Sequence, residues 1–340
     1  MEVGCNVVEA LINGDREAQM NAAQEMIDMK SKQRQKLVEK GVIHPLILMM
    51  RSGDEDVAGL ALYALISLAF GSERNKVRIV RSGAVPVLCE MLRCGSLGLI
   101  QQAVTGLMIL SSCSSNKVTI AASGAVELLI EILDYSSCLI SEQAKLDAIS
   151  TLLNLSTCPN LIPLLVSSGV VMAMVGLLLG SDKASEIVEK ATELMEKLVC
   201  ESSLAVEEVD RVEGATQLLI ETVEEGSAQC KEYALGTLLV LCQSCREKYR
   251  GMFLREGIIP GLLQVSVDGT WRGREMSREL LEILREGSST TKDCSGGVSS
   301  SAAGKGELVE RIMEEIDSRG EKGLDRTLRL VEKMIAKLKA

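Results

Sequence analysis

Apolar and polar positions along this 340-residue chain come in blocks rather than strict alternation. Runs of roughly ten residues with little charge, such as Val85-Pro86-Val87-Leu88-Cys89-Glu90-Met91-Leu92, are followed by short polar breaks, as at Arg51-Ser52-Gly53-Asp54 or Glu224-Glu225-Gly226-Ser227. Longer segments come next, with apolar residues three and four apart, as at Leu62, Leu65 and Ala69. That spacing predicts helices with one face turned inward. The longer helices are expected over 58–69, 101–111, 144–156, 188–199, 231–241 and 274–284, each behind a shorter apolar helix. One phrase precedes every short apolar helix: Lys40-Gly41-Val42-Ile43, Ser82-Gly83-Ala84-Val85, Ser123-Gly124-Ala125-Val126, Ser168-Gly169-Val170-Val171, Glu213-Gly214-Ala215-Thr216 and Glu256-Gly257-Ile258-Ile259. Its glycines recur every 41–45 residues and suit helix ends that turn through the left-handed region, with Pro45, Pro86 and Pro260 close to the start of the helix that follows.

A period of about forty residues built from helix pairs is that of armadillo and HEAT solenoids. The expected fold is therefore all-α: a right-handed armadillo (ARM) repeat α-solenoid superhelix of about seven repeats, with further helices at the C-terminus. The solenoid is expected over 1–286, with repeats starting near 41, 83, 124, 169, 214 and 257. Residues 4–40 show the long-helix half without the glycine phrase and read as the atypical capping repeat that such arrays need. Eleven of the twenty residues from 287 to 306 are Gly or Ser, which predicts a flexible linker. Two amphipathic helices are expected in 307–340. The second spaces Leu324, Leu328, Val331, Ile335 and Leu338 in a stripe flanked by Arg326, Arg329, Lys333, Lys337 and Lys339. It is expected to fold back and cap the open end of the solenoid, with self-association or partner binding as the other reading.

Composition narrows the function. The formal charge is −10, so a phosphate backbone would be repelled and no nucleic-acid partner is expected. The single histidine, His44, removes imidazole dyads and most metal sites; its position in Ile43-His44-Pro45-Leu46 suits a helix start or a surface role. Eleven cysteines, an odd number in a long chain whose first turns carry Glu2, Glu9, Asp15 and Arg16 instead of an apolar leader, read as free thiols. The expected location is cytosolic or nuclear. Residues 148–181 carry no charge, and 161–180 is long enough to cross a bilayer, but Pro159, Pro163, Ser167, Ser168 and Gly169 interrupt it at a repeat corner. A buried helix pair is expected there, and no membrane span. Cys242-Gln243-Ser244-Cys245 lacks the further ligands of a zinc site. Gly304-Lys305-Gly306 lacks the spacing and the hydroxyl of a phosphate loop. Catalytic, cofactor-binding and metal-binding residues are all assigned as none, and an enzyme is not expected.

The repeats also resemble the armadillo region of plant U-box ubiquitin ligases. Asp147-Ala148-Ile149-Ser150-Thr151-Leu152-Leu153-Asn154-Leu155-Ser156 is similar to that family's characteristic long helix. Arg74-Asn75-Lys76 and Asn116-Lys117, each shortly before a Ser-Gly-Ala-Val, resemble its inter-repeat linker. Residues 268–275 running into 280–285 resemble its final repeat, apart from Trp271. The resemblance covers residues 4–286. It implies a protein-protein interaction scaffold or adaptor in ubiquitin or receptor-kinase signalling, with a kinase or a ubiquitination substrate as partner. The U-box that recruits a conjugating enzyme would precede the first repeat, where this sequence starts. A binding scaffold is thus the leading expectation, and the substrate-recognition part of a ligase, with its U-box missing or supplied by a partner, is the alternative.

In armadillo solenoids the long helices line the concave groove. Aligned on Leu68, Leu110, Leu155, Leu198, Leu241 and Leu284, they place Ser67, Ile109, Asn154, Lys197, Val240 and Ile283 on one rung. Four residues earlier, on the same face, lie Tyr63, Thr105, Ser150, Glu193, Gly236 and Glu279. Armadillo import receptors present Asn on the first rung and Trp on the second; here Asn154 alone matches, which disfavours a nuclear import cargo receptor. The mixture suits a folded or helical protein partner.

Overall fold

The computed structural model describes residues 3–134 and 140–285. The expected linker 287–306 and the helices in 307–340 lie outside the described residues. Among those described every regular element is helical. The chain divides into two compact units, 1–218 and 219–340, which are taken separately.

The first unit begins with a two-helix cap, α1 (Val3–Asn13) and α2 (Arg16–Asp28). Repeats of three helices follow: α3 (Ser31–Glu39), α4 (Ile43–Met50) and α5 (Glu55–Ala69); then α6 (Glu73–Arg81), α7 (Ala84–Leu92) and α8 (Leu97–Ser111). The next two each open on a 3-10 turn: α9 (Lys117–Ala121), α10 (Ala125–Leu133) and α11 (Glu142–Ser156); then α12 (Ile162–Ser167), α13 (Val170–Gly180) and α14 (Glu186–Glu201). A further short helix, α15 (Ser203–Arg211), leads to α16 (Ala215–Glu225), in which the division between the two units falls along the chain. The second unit continues with α17 (Ala228–Ser244), α18 (Arg246–Arg255), α19 (Ile259–Asp268) and α20 (Trp271–Arg285).

In the first unit the long helices α2, α5, α8, α11 and α14 pack each on the next, and α4, α7, α10 and α13 form a parallel second layer. The core lies between the layers, where Leu62, Leu65, Leu88, Leu107 and Leu129 are fully buried. Each such side chain contributes about 1.5–3 kcal/mol through removal from water. In the second unit α20 packs on both α17 and α19, around Leu238, Leu241, Phe253 and Leu280.

Each expected long helix is present, beginning two to four residues earlier than the apolar spacing indicates. The early starts come from capping residues outside the apolar pattern. Asp15, Asp54, Ser141, Ser185 and Ser227 each accept a hydrogen bond from a first-turn N–H of α2, α5, α11, α14 or α17. The six repeat glycines all have positive φ, from 78° to 89°, and nothing lies within 4 Å of a Cβ built there. Backbone conformation alone therefore calls for glycine.

The first helix of each repeat is absent from the sequence expectation, which allowed two helices per repeat and a linker. These helices are short, and α6, with four Arg or Lys, buries only Asn75, Ile79 and Val80. A pattern search keyed to apolar faces therefore passes over them. The uncharged stretch 161–180 is broken into a 3-10 turn, α12 and α13, and α12 follows α11 at a 113° bend. No single described helix is long and apolar enough to cross a membrane.

The cap is tied to the first repeat by charge. Arg16 Nε and Nη2 donate to the Asp54 carboxylate at 2.6 and 3.1 Å, and Nη2 reaches Asp56 at 3.2 Å. Arg16, then the N–H of Val57, hold the Asp54 carboxyl at about 2, well below the usual carboxylate range. A carboxyl depressed in the folded state stabilises it above the unfolded-chain value, roughly 3.9, and that contribution disappears as pH falls towards 2. The Tm difference between wild type and Arg16→Gln is therefore expected to be present at pH 6 and to vanish between about pH 4 and pH 2. A difference independent of pH across that window would show that the ion pair does not join the cap to the repeat.

Candidate functional site

The long helices bury their apolar ridges and leave one face in contact with solvent. In the first unit that face carries Tyr63 and Ser67 on α5, Thr105 and Ile109 on α8, Ser150 and Asn154 on α11, and Glu193 and Lys197 on α14. Tyr63 is 56 % exposed, and the other seven are half-buried. In the second unit Glu279 is exposed and Val240 and Ile283 are half-buried. Gly236, expected on the second rung, corrects the set: it is buried in α17, against which α20 packs, and offers no side chain to a partner.

Most of the polar residues of this face are engaged with the protein itself. Thr105 Oγ1 donates to Asp147 Oδ2 at 2.5 Å, and Gln143 Nε2 reaches the other oxygen of that carboxylate at 2.9 Å. Asp147 is only 5 % exposed, so these bonds satisfy a charge that burial would otherwise penalise. Asn154 Nδ2 donates to Ser111 Oγ at 3.0 Å and to the Met108 carbonyl at 3.3 Å, and Ser141 Oγ donates to Gln101 Oε1 at 3.2 Å. The seam between α8 and α11 is thus hydrogen-bonded along its length. Lys190 pairs with Glu193 at 2.9 Å and Lys197 with Glu201 at 3.1 Å, both within α14. In the second unit Gln243 Nε2 donates to Glu279 Oε1 at 2.8 Å.

The apolar residues of the face have no such task. Phe70, 77 % exposed, lies seven residues beyond Tyr63 at the C-terminal end of α5. Ile66 lies between them, and Ile66 and Ile109 line the same small internal void, which places α5 and α8 side by side at that level. The rung alignment passes over Phe70 and Ile66. Two aromatics seven residues apart on one helix, in a chain with seven aromatics in all, are the signal that would have found them. Trp271, at the start of α20, is 73 % exposed.

The asparagines and cations of the inter-repeat linkers are structural. Asn75 Nδ2 donates to the Leu68 carbonyl at 2.9 Å and Asn116 Nδ2 to that of Leu110 at 3.0 Å, closing the last turns of α5 and α8. Lys76 crosses to Ser112 Oγ at 2.8 Å, and Lys117 to the Thr157 hydroxyl. In the second unit Arg250 and Arg246 do the same for the last turn of α20, reaching the Leu284 carbonyl at 2.7 Å and that of Ile283 at 2.8 Å. The Cys-x-x-Cys pair is divided between a buried Cys242, whose thiol burial pushes up, and an exposed Cys245. Among the described residues no three His, Cys, Asp or Glu converge as a metal site.

A two-layer stack of roughly forty-residue helical repeats turned on glycine is an armadillo-type α-solenoid. Residues 72–111, which span α6 to α8, match the Armadillo/beta-catenin-like repeat family. Over 255 residues, 73 % of this chain, the sequence is 30 % identical to the U-box domain-containing protein 45 of Arabidopsis thaliana. Over 144 residues, 42 % of the chain, it is 31 % identical to U-box domain-containing protein 17 of the same plant. The matched regions make up 32 % and 19 % of those two relatives, so the chain spans about a third or less of their length. Among solved structures, an engineered protein superposes over 96 % of this chain and 77 % of its own, with a TM-score of 0.72 and 19 % identity. Computationally designed armadillo repeat proteins for modular peptide recognition superpose over 70 % of this chain and 99 % of their own, with a TM-score of 0.63 and 21 % identity. These structures share the fold.

Thr105→Val removes one of the two side-chain donors to a buried carboxylate and is expected to destabilise the chain by about 1–3 kcal/mol in urea unfolding. Ser150→Ala, on the same face, is expected to change stability by less than about 0.5 kcal/mol. Equal effects would show that the Thr105–Asp147 bond does not hold the seam.

Proposed function

We propose that this chain is a protein-binding scaffold that seats a folded or helical segment of a partner protein against the exposed face of its long helices, and has no chemistry of its own. What supports this most is the division of labour on that face: Thr105 and Asn154 are held in the α8–α11 seam, while Tyr63 and Phe70 are left solvent-exposed. Exposed aromatics on a rigid, fully packed support are the side chains that dominate protein interfaces, because little conformational entropy is lost when they are covered. We further propose a setting in ubiquitin or receptor-kinase signalling, in the cytosol or nucleus, with a kinase or a ubiquitination substrate as partner; the similarity to plant U-box domain-containing proteins supports the ubiquitin-related part of this reading. A second reading, the substrate-recognition part of a U-box ligase, rests on the same similarity, which covers about a third of the longer relative.

Two comparisons test the proposal. Proteins captured from a plant extract by the full chain are compared by quantitative mass spectrometry with those captured by a Tyr63→Ala/Phe70→Ala variant and by a Lys197→Glu/Val240→Asp variant. The account expects one set of proteins to be lost by about tenfold or more with unchanged circular dichroism; an identical set would refute the placement of the binding face. Ubiquitin-chain formation by the isolated chain with activating and conjugating enzymes would replace the scaffold reading by the ligase reading.

A further inference from the structure

A second surface in the first unit has a different chemistry. A cleft of 480 Å³ opens where the end of α3 and the start of α4 face the end of α6. Arg78, Arg81, His44 and Ser82 line it, together with the apolar Val38 and Ile43 and a single carboxylate, Glu39. Arg78 is half-buried and Arg81 exposed, and neither guanidinium has an ion-pair or hydrogen-bond partner among the described residues. Glu39 forms no ion pair with either of them.

The next two junctions do not repeat this set. At the positions of Arg78 and Arg81, counted back from the repeat glycine, the next two repeats carry Thr119 and Ala122, then Leu164 and Ser167. At the position of His44 the same two junctions carry Pro86 and Glu127. The chain's one histidine and two arginines without a partner among the described residues therefore meet in one cleft. The surroundings add to the field: residues 30–44 and 73–82 carry nine Lys or Arg against Glu39 and Glu73, on a chain whose formal charge is −10. Unpaired guanidiniums present forked donors matched to tetrahedral oxyanions. The first turn of α4, which contributes Ile43 and His44 to the cleft, adds the positive end of a helix.

We infer that the cleft bounded by Arg78, Arg81 and His44 binds the phosphate monoester of a phosphorylated Ser or Thr in a partner protein. The cleft has the volume for one phosphorylated side chain, and Val38 and Ile43 supply apolar wall for its stem. A phosphorylated protein segment is favoured over an anionic membrane because the charge of the whole chain opposes approach to an extended negative surface, whereas a single phosphate senses only the local basic field. The inference rests on reading the chain as a protein-binding scaffold, but it uses none of the residues proposed there.

The experiment titrates the full chain with a short degenerate phosphoserine peptide library, its unphosphorylated counterpart, inorganic phosphate, and vesicles containing anionic lipid. Binding of the phosphorylated library is expected to be at least about tenfold tighter than that of the unphosphorylated one. It is expected to fall by about tenfold or more in Arg78→Gln/Arg81→Gln, to strengthen in Glu39→Gln, and to stay unchanged in Tyr63→Ala/Phe70→Ala. Inorganic phosphate is expected to compete and to raise the Tm of the wild type, a readout that needs no folded variant. Equal binding of the two libraries, undiminished binding by a folded Arg78→Gln/Arg81→Gln chain, or binding confined to the vesicles would overturn the inference. Loss in Tyr63→Ala/Phe70→Ala alone would move the phosphorylated segment to the long-helix face, which overturns the cleft and leaves the scaffold standing.

Discussion

Each repeat can hide its apolar flank only against its neighbour, and the rest of the structure follows from that constraint. α8 illustrates it: Ala103, Val104 and Leu107 are completely buried, yet no single partner encloses them, because α5, α7 and α11 each contribute a side. A globular core can lose some enclosure at one edge and compensate at another. A stack cannot, since burial is shared pairwise and a repeat without its neighbour exposes a whole face. The α1–α2 pair covers the flank of α5, and its link through Arg16, Asp54 and Asp56 shows that the join is made with charge as well as apolar area.

Pairwise stacking also determines which residues remain free. The polar residues that could serve a partner are drawn first into the seams, because two adjacent helices leave carboxylates, carbonyls and amides that need partners. Asp147 is nearly buried and takes Thr105 and Gln143; Asn154 answers Ser111 and Met108. The free surface is accordingly apolar and aromatic at α5, and cationic where α3, α4 and α6 meet. These two surfaces share no residue, so a partner segment and a phosphate can be recognised by separate parts of one rigid support.

The fold was legible in the sequence to the extent that it is governed by repetition. The six glycines announce the corners because only a positive φ, unaided by neighbouring atoms, explains them, and the three-and-four spacing announces the long helices. The short first helices were hidden: α6 and α15 bury two or three residues each, too few to mark a face. The candidate site was legible only as positions. Register placed Tyr63, Ile109 and Lys197 on a face that keeps solvent access, but it could not show that Asn154 and Thr105 bond across the seam, since their acceptors lie some forty residues away. Gly236 failed for a related reason, because position along a helix does not reveal how closely the next helix packs. Arg78 and Arg81 lie 34 and 37 residues from His44 in the chain, and only the turn at Gly41 and the packing of α6 bring them to one cleft.

The neighbour-by-neighbour account is tested most directly by hydrogen exchange on the full chain carrying Leu107→Ala. Leu107 is fully buried in α8, and its truncation should cost about 2–5 kcal/mol. Faster exchange is predicted in α8 and in the adjoining α5, α7 and α11, with α1 and α2 little changed. Acceleration confined to α8, or spread evenly over the whole chain, would contradict the account.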